Sequence, residues 1–188
     1  TRTDIGLLSV GGDVAHTQAW DRGSVAGKVQ YTNIRPYFGL IDQGIDWKLP
    51  PASIEGVAAF RQQVGKKGLI KAYGNFNHSH FSLYNSSISG TPVKYLYDLT
   101  NDYRYLNGFY KNELNNKWSV HGGVSYTYIQ NDTWVDDQNI QETENGIHAK
   151  TVFEGSLWEN VELKTGAEVI QRSYSQHFFI PSGTDYDL

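Results

Sequence analysis

The chain has 188 residues, with 16 Lys plus Arg against 20 Asp plus Glu, and neither Cys nor Met. Without cysteine it cannot be a disulfide scaffold, bind a Cys-ligated zinc or use a Cys nucleophile. Its aromatics (5 Trp, 13 Tyr, 8 Phe) exclude a disordered tail, and a net charge of −4 with no basic run argues against a nucleic-acid partner.

The length suits one domain able to bury a core. No window approaches the roughly 20 apolar residues of a membrane-spanning helix, but such windows do not detect β-barrels. The chain opens on Thr1-Arg2-Thr3, without an initiating Met or a leader pattern. It is expected to be a mature product or part of a longer polypeptide.

Helical spacing is scarce and period-two alternation dominates, so the sequence predicts eight strands in four hairpins. The first pair runs through Leu8, Val10, Gly12 and Val14, turns at Asp21-Arg22-Gly23, and returns through Val25, Gly27, Val29 and Tyr31. In the second, 54–64 sets Ile54, Gly56, Ala58 and Phe60 against Glu55, Val57, Ala59 and Arg61. Gly65-Lys66-Lys67-Gly68 turns the chain into 69–84, where Ile70, Ala72, Gly74 and Phe76 oppose Lys71, Tyr73, Asn75 and Asn77. The fifth strand, 103–113, has no clean apolar face. It reaches the sixth, 118–130, through Leu114 to Lys117. There Trp118, Val120, Gly122, Val124, Tyr126 and Tyr128 alternate with Ser119, His121, Gly123, Ser125 and Thr127. Strands 147–157 and 161–172 meet through Trp158-Glu159-Asn160.

Connections within hairpins are short, whereas 33–51, 85–100 and 131–145 read as long loops. Short turns at one end and long loops at the other are the habit of transmembrane barrels. Strands of ten or more residues also suit a tilted crossing better than soluble sheets, whose strands centre on about five or six. The apolar faces are thin, with Gly or Ala at Gly12, Gly27, Gly56, Gly74, Gly122, Gly155 and Ala167. A water-soluble core wants denser side chains, while lipid fills such gaps itself. Tyr31, Phe76, Trp118, Tyr126, Tyr128 and Phe153 are expected at strand ends, as interfacial girdles.

The segment Tyr31 to Phe38, followed by Ile45-Asp46-Trp47-Lys48-Leu49-Pro50-Pro51 and Phe60-Arg61-Gln62, resembles the early barrel of TonB-dependent outer-membrane receptors of the Bacteroides type. Leu7 to Gly12 and Tyr73 to Asn77 fit the same resemblance. It implies a barrel of about 22 strands closed by an N-terminal plug domain, importing scarce nutrients with energy relayed from the inner membrane. No plug, energy-coupling box or closing C-terminal aromatic is present. The resemblance therefore implies a fragment, roughly the second to ninth strands, in the outer membrane of a Gram-negative bacterium. It also implies its partners: outer-membrane lipid, the plug and remaining strands of the same polypeptide, and TonB through the missing regions. A surface lipoprotein stays open as a further partner.

On this reading Asp13, Lys28, Glu55, Arg61, Lys71, Tyr73, Lys150, Glu154, Glu162, Lys164 and Glu168 face the lumen. Ile147, Thr151, Leu157, Val161 and Ala167 point the other way. Tyr37, Phe38, Trp47, Tyr95, Tyr97 and Trp134 are loop residues that contact a ligand or partner, or close over one another. His78 and His80 share a strand face but lack a third ligand, so no metal is expected. No nucleophile triad or phosphate loop appears, so binding and passage are expected without enzymatic chemistry or a cofactor. The alternative is a soluble all-β ligand-binding module, for example a carbohydrate-binding sandwich. It would bury Val120 and Val124 and leave Ser119 and Ser125 wet.

Overall fold

A computed structural model describes residues 1–41, 44–86, 94–181 and 184–187. The strands are β1 (Arg2–Leu8), β2 (Gly11–Trp20), β3 (Gly23–Asn33), β4 (Asp46–Val64) and β5 (Gly68–Ser86), then β6 (Lys94–Glu113), β7 (Trp118–Val135), β8 (Gln138–Trp158), β9 (Val161–Ile180) and β10 (Thr184–Asp187). One short helix, α1 (Arg35–Phe38), follows β3, with Pro36 in its first turn, where a missing N–H costs nothing. The strands form one antiparallel sheet in chain order from β1 to β10. This is the expected up-and-down meander, and the turns at 21–22, 65–67, 114–117 and 159–160 share one end of it.

Four expectations need correction. Ten strands replace eight: Ser9 and Val10 turn the chain so that β1 precedes β2 and Leu8 pairs with Gly11, and β10 pairs with the end of β9. Leu8 therefore lies on the opposite face from Val14, although the alternation reads smoothly through the turn.

Segment 131–145 is not a long loop. β7 runs to Val135 and β8 starts at Gln138, leaving only Asp136 and Asp137 between them. Its residues are mostly polar on both faces, with no apolar alternation, which pattern reading equates with a loop, but the paired backbone keeps it extended. Segment 85–100 is likewise mostly strand, except for 87–93, which lies outside the described residues. Of 33–51, only 34–45 connects strands. β4 begins at Asp46 and is irregular between Trp47 and Ala52, where Pro50 and Pro51 have no N–H for the ladder.

The register sorts side chains into two faces. Face I carries Val25, Phe60, Ala72, Gly108, Val124, Ala149 and Val169 in one row of directly opposed residues. Face II carries Arg61, Lys71 and Phe109 in another. The half of face I nearer the short turns is an apolar band free of Asp, Glu, Lys and Arg. It includes one histidine, His16, hydrogen-bonded to Thr3 Oγ1 at 2.8 Å.

The band crosses the sheet obliquely. Its upper margin is Tyr31 on β3 but Tyr126 on β7, and Tyr126 shares the row of Gly27, four residues along β3 from Tyr31. Its lower margin falls the same way, from Trp20 on β2 to Trp118 on β7, four residues beyond Gly122 in the Trp20 row. Phe76 and Tyr126 thus mark band margins in the middle of long strands, not strand ends. Near the lower margin Trp118 stacks on Phe153 at 4.7 Å and covers Gly155, where a Cβ would meet the indole at 2.3 Å.

Ile147, Thr151, Val161 and Ala167 share face I, and Glu154, Glu162 and Glu168 lie on face II. Leu157 falls within the irregularity between Ser156 and Trp158. The apolar core is minimal: among the described residues only Val152, 6 % exposed, is a buried hydrophobe. Val124 is 51 % exposed and Val169 66 %.

The β7–β8 turn is braced from β6. Asp136 has φ +54°, its N–H donates to the Leu96 carbonyl at 2.8 Å, and its carboxylate accepts from the Leu96 N–H at 2.7 Å. Asp tolerates this left-handed backbone and a β-branched residue does not. Asp136→Val should destabilise the folded chain by about 1–2 kcal/mol, whereas Asp136→Asn stays near wild type, as read from unfolding free energies.

Candidate functional site

All eleven residues expected to face a lumen lie on face II. Strand alternation does this: each sits at a position whose cross-strand partners share that side. Much of this wall is self-neutralising. Lys28 lies 3.7 Å from Asp13, Lys150 3.8 Å from Glu168, and Lys164 3.4 Å from Glu154. Glu154 also accepts from the Ser119 hydroxyl at 3.2 Å, and His148 Nε2 lies 2.6 Å from Glu168. These side chains are partly exposed, from 22 % for Asp13 to 69 % for Lys164, so water screens each pair and it contributes at most about 1 kcal/mol.

Toward the long-connection end, face II changes character twice. A polar belt comes first: Ser53, Ser79, Asn101, Asn131, Glu142 and Gln176 stand in one row across six strands. The Asn101 amide donates to Asn131 Oδ1 at 2.6 Å, and the Gln176 amide to Glu142 at 3.1 Å. Tyr174, one row nearer the short turns, donates its hydroxyl to Glu142 at 2.8 Å. Beyond the belt lies an apolar row of Phe81, Leu99, Ile140 and Phe178, interrupted by Thr133, and then Leu83, Tyr97 and Val135.

The expected aromatic contacts divide at this rim. Phe38 of α1 stacks on Trp47 of β4 with ring centroids 5.5 Å apart, Trp47 meets Phe81 edge-on at 6.0 Å, and Phe81 meets Tyr97 at 6.1 Å. Tyr37 adjoins Phe38 at 6.0 Å. Trp47, Tyr95, Tyr97 and Trp134 are strand residues, which corrects their reading as loop positions. Trp134 sits opposite Asp98 on face I, away from this ladder. The Trp47 indole N–H is buried without a partner among the described residues, so the ladder keeps a free donor. Phe81, Leu83, Leu99, Ile140 and Phe178 were not anticipated. Their signal was present: in β5 the apolar residues move from even positions, ending at Phe76, to odd ones at Phe81 and Leu83.

His78 and His80 share face I above the apolar band and pair across strands with Asp102 at 3.1 Å and Asp98 at 2.9 Å. Each histidine has its own carboxylate, and no group of three metal-ligating residues comes together among the described residues. Arg104, beside them, lies over the Tyr128 ring at 5.4 Å.

Comparison of the chain with family models, with curated proteins and with solved structures finds no match in any of the three.

The bond to Glu142, with desolvation and the carboxylate's charge behind it, raises the Tyr174 phenol above its ordinary value. A raised pKa stabilises the fold at pH values below the unfolded phenol's, and that contribution is lost as pH rises through the folded value. Ultraviolet titration should show a tyrosinate step above the ordinary phenol range, and both Tyr174→Phe and Glu142→Gln should abolish that late step.

Proposed function

We propose that this chain is part of the wall of a wide β-barrel in the outer membrane of a Gram-negative bacterium, in a TonB-dependent receptor that binds a nutrient and imports it. The observation that carries the reading is the oblique, uncharged apolar band. Strands tilt in a barrel, so a membrane plane must cut the hydrogen-bonded rows at an angle. Both margins of the band slide toward the short turns, the upper by four residues from β3 to β7 and the lower by four from β2 to β7, as a tilted slab requires. From Trp118 to Tyr126 it measures about 26 Å along the strand, or roughly 20 Å after a tilt of ~40°, near the ~25 Å apolar height of such barrels.

Other features agree with this. The band on face I is apolar yet uncovered, which suits lipid as its neighbour, while face II carries charges of both signs and suits a water-filled lumen. The outer edges of β1 and β10 have no partner strand among the described residues, and a spanning sheet must pair every edge. Further strands of the same barrel would supply those partners, and a plug domain would fill the space against face II. The likeness of 31–38 and 45–51 to TonB-dependent receptors narrows the class. The long-connection end then faces outward, and a ligand meets the Phe38–Trp47–Phe81–Tyr97 ladder before it reaches the charged wall. Passage needs no covalent step.

A soluble binding sandwich fits less well. Val124 is exposed where a sandwich would bury it, Ser125 is half-buried, and the described residues form one sheet with no second layer.

The chain has no cysteine, so single cysteines report cleanly on each face. In outer-membrane vesicles holding the full-length polypeptide, cysteines at Val124, Ala149 and Ala167 should resist a small water-soluble maleimide. Those at Ser125, Lys150 and Glu168 should react. Equal labelling of the two sets, or recovery of a soluble monomer, would refute the membrane reading. In the same assembly Val124→Arg should cost about 2–4 kcal/mol, and Ser125→Arg little.

A further inference from the structure

We propose that Arg61 and Lys71 form an oxyanion clamp on face II, which holds a carboxylate or phosphate group between them. The two residues are directly opposed on β4 and β5. Like charges in that position destabilise a sheet, because their Cβ atoms stand about 5 Å apart. Among the described residues neither makes an ion pair; Asp21 and Glu113 line a separate hollow with Arg61 toward the short turns. The direct and diagonal face II neighbours of Arg61 are Ser24, Ala26, Leu69, Lys71 and Tyr73, with Ala59 and Gln63 on its own strand. Around Lys71 on β6 stand Phe109, Asn107 and a further cation, Lys111. No carboxylate occupies any of these positions, whereas Lys28, Lys150 and Lys164 on the same face each have one within 4 Å.

The pair opens into a concavity of about 500 Å³ that Ser24, Tyr73, Asn107 and Phe109 help to line. That size suits a small ligand or one inserted side chain. Its polar chemistry is rich in donors: the guanidinium fork, the ammonium, two hydroxyls and an amide. A guanidinium fork grips two oxygens of a carboxylate or phosphate, and the ammonium adds a point charge. An anion between the two cations turns their repulsion into attraction to a shared partner.

Two sources supply that chemistry: a carboxylate from another segment of the polypeptide lying against face II, or a dissolved anion. The clamp follows from register and charge and does not rest on the membrane reading. A soluble protein would leave it standing.

The test uses the full-length polypeptide in detergent. Lysine acylation at Lys71 is read by mass spectrometry against Lys66 in the exposed turn, with and without inorganic phosphate. A carboxylate of the polypeptide protects Lys71 at every phosphate concentration, and Arg61→Gln releases that protection at least fivefold. A dissolved anion leaves Lys71 reactive without phosphate and protects it at least fivefold as phosphate is added. Arg61→Gln then shifts the phosphate dependence at least tenfold, and Arg61→Lys shifts it less. The proposal is overturned if Lys71 reacts like Lys66 at all phosphate concentrations, or if its protection is indifferent to Arg61→Gln, as simple burial would be. Should Arg61→Gln not assemble, Lys71→Arg gives a second reading. With the clamp filled its thermal midpoint stays near wild type at all phosphate concentrations or rises with phosphate, and a fixed, lowered midpoint counts against the clamp.

Discussion

The antiparallel hydrogen-bond ladder that runs from β1 to β10 is the constraint on which the rest of this protein depends. Each strand pairs with its chain neighbours, so the backbone groups of the inner strands are satisfied without a second layer. The register then decides where every side chain goes. A slip of one residue on any strand would send its face II charges to the apolar face and its valines to the charged one. Little else holds the sheet, since Val152 is the lone buried hydrophobe among the described residues. Ordinary globular domains bury a core to offset chain entropy. Here the apolar area is spread over exposed surfaces, and its stabilisation depends on what covers them.

Apolar surface changes sides along the strands, and this switch joins the two halves of the structure. Near the short turns it occupies face I, through residues such as Val25, Ala72 and Val124. Near the long-connection end it occupies face II, through Phe81, Leu99, Ile140 and Phe178. The same switch explains β6. Leu106, Gly108 and Tyr110 belong to the apolar band of face I, while Tyr97 and Leu99 belong to the rim of face II. Neither face of that strand is apolar over its whole length, so it shows no clean amphipathic pattern.

Face II is not uniform in charge. On β8 and β9 acids and bases alternate across strands and pair within 4 Å. On β4 to β6 three cations, Arg61, Lys71 and Lys111, cluster with no carboxylate at the positions around the first two. Paired charges on a wet wall contribute little and ask for no partner. An unpaired cluster raises the energy of the sheet unless an anion joins it, so it marks where something binds.

The fold class, the meander and the shared end of the four short turns were legible in the sequence, because period-two alternation and glycine-rich turns are local properties. So was the membership of face II: Asp13, Lys28, Glu55 and the rest alternate with apolar neighbours over short windows. The lengths of β6, β7 and β8 were not legible. Residues 130 to 144 are mostly polar on both sides, with Trp134, Val135 and Ile140 scattered among them, and only cross-strand pairing distinguishes such a strand from a loop. The aromatic rim was hidden for the same reason, since Trp47, Phe81 and Tyr97 come from three strands and meet only through register. The oblique band and the Arg61–Lys71 opposition are likewise relations between strands. Local sequence determined which side of its own strand each residue takes. Tertiary pairing decided which residues stand side by side, because the hydrogen bonds that set register join segments that composition and spacing read one at a time.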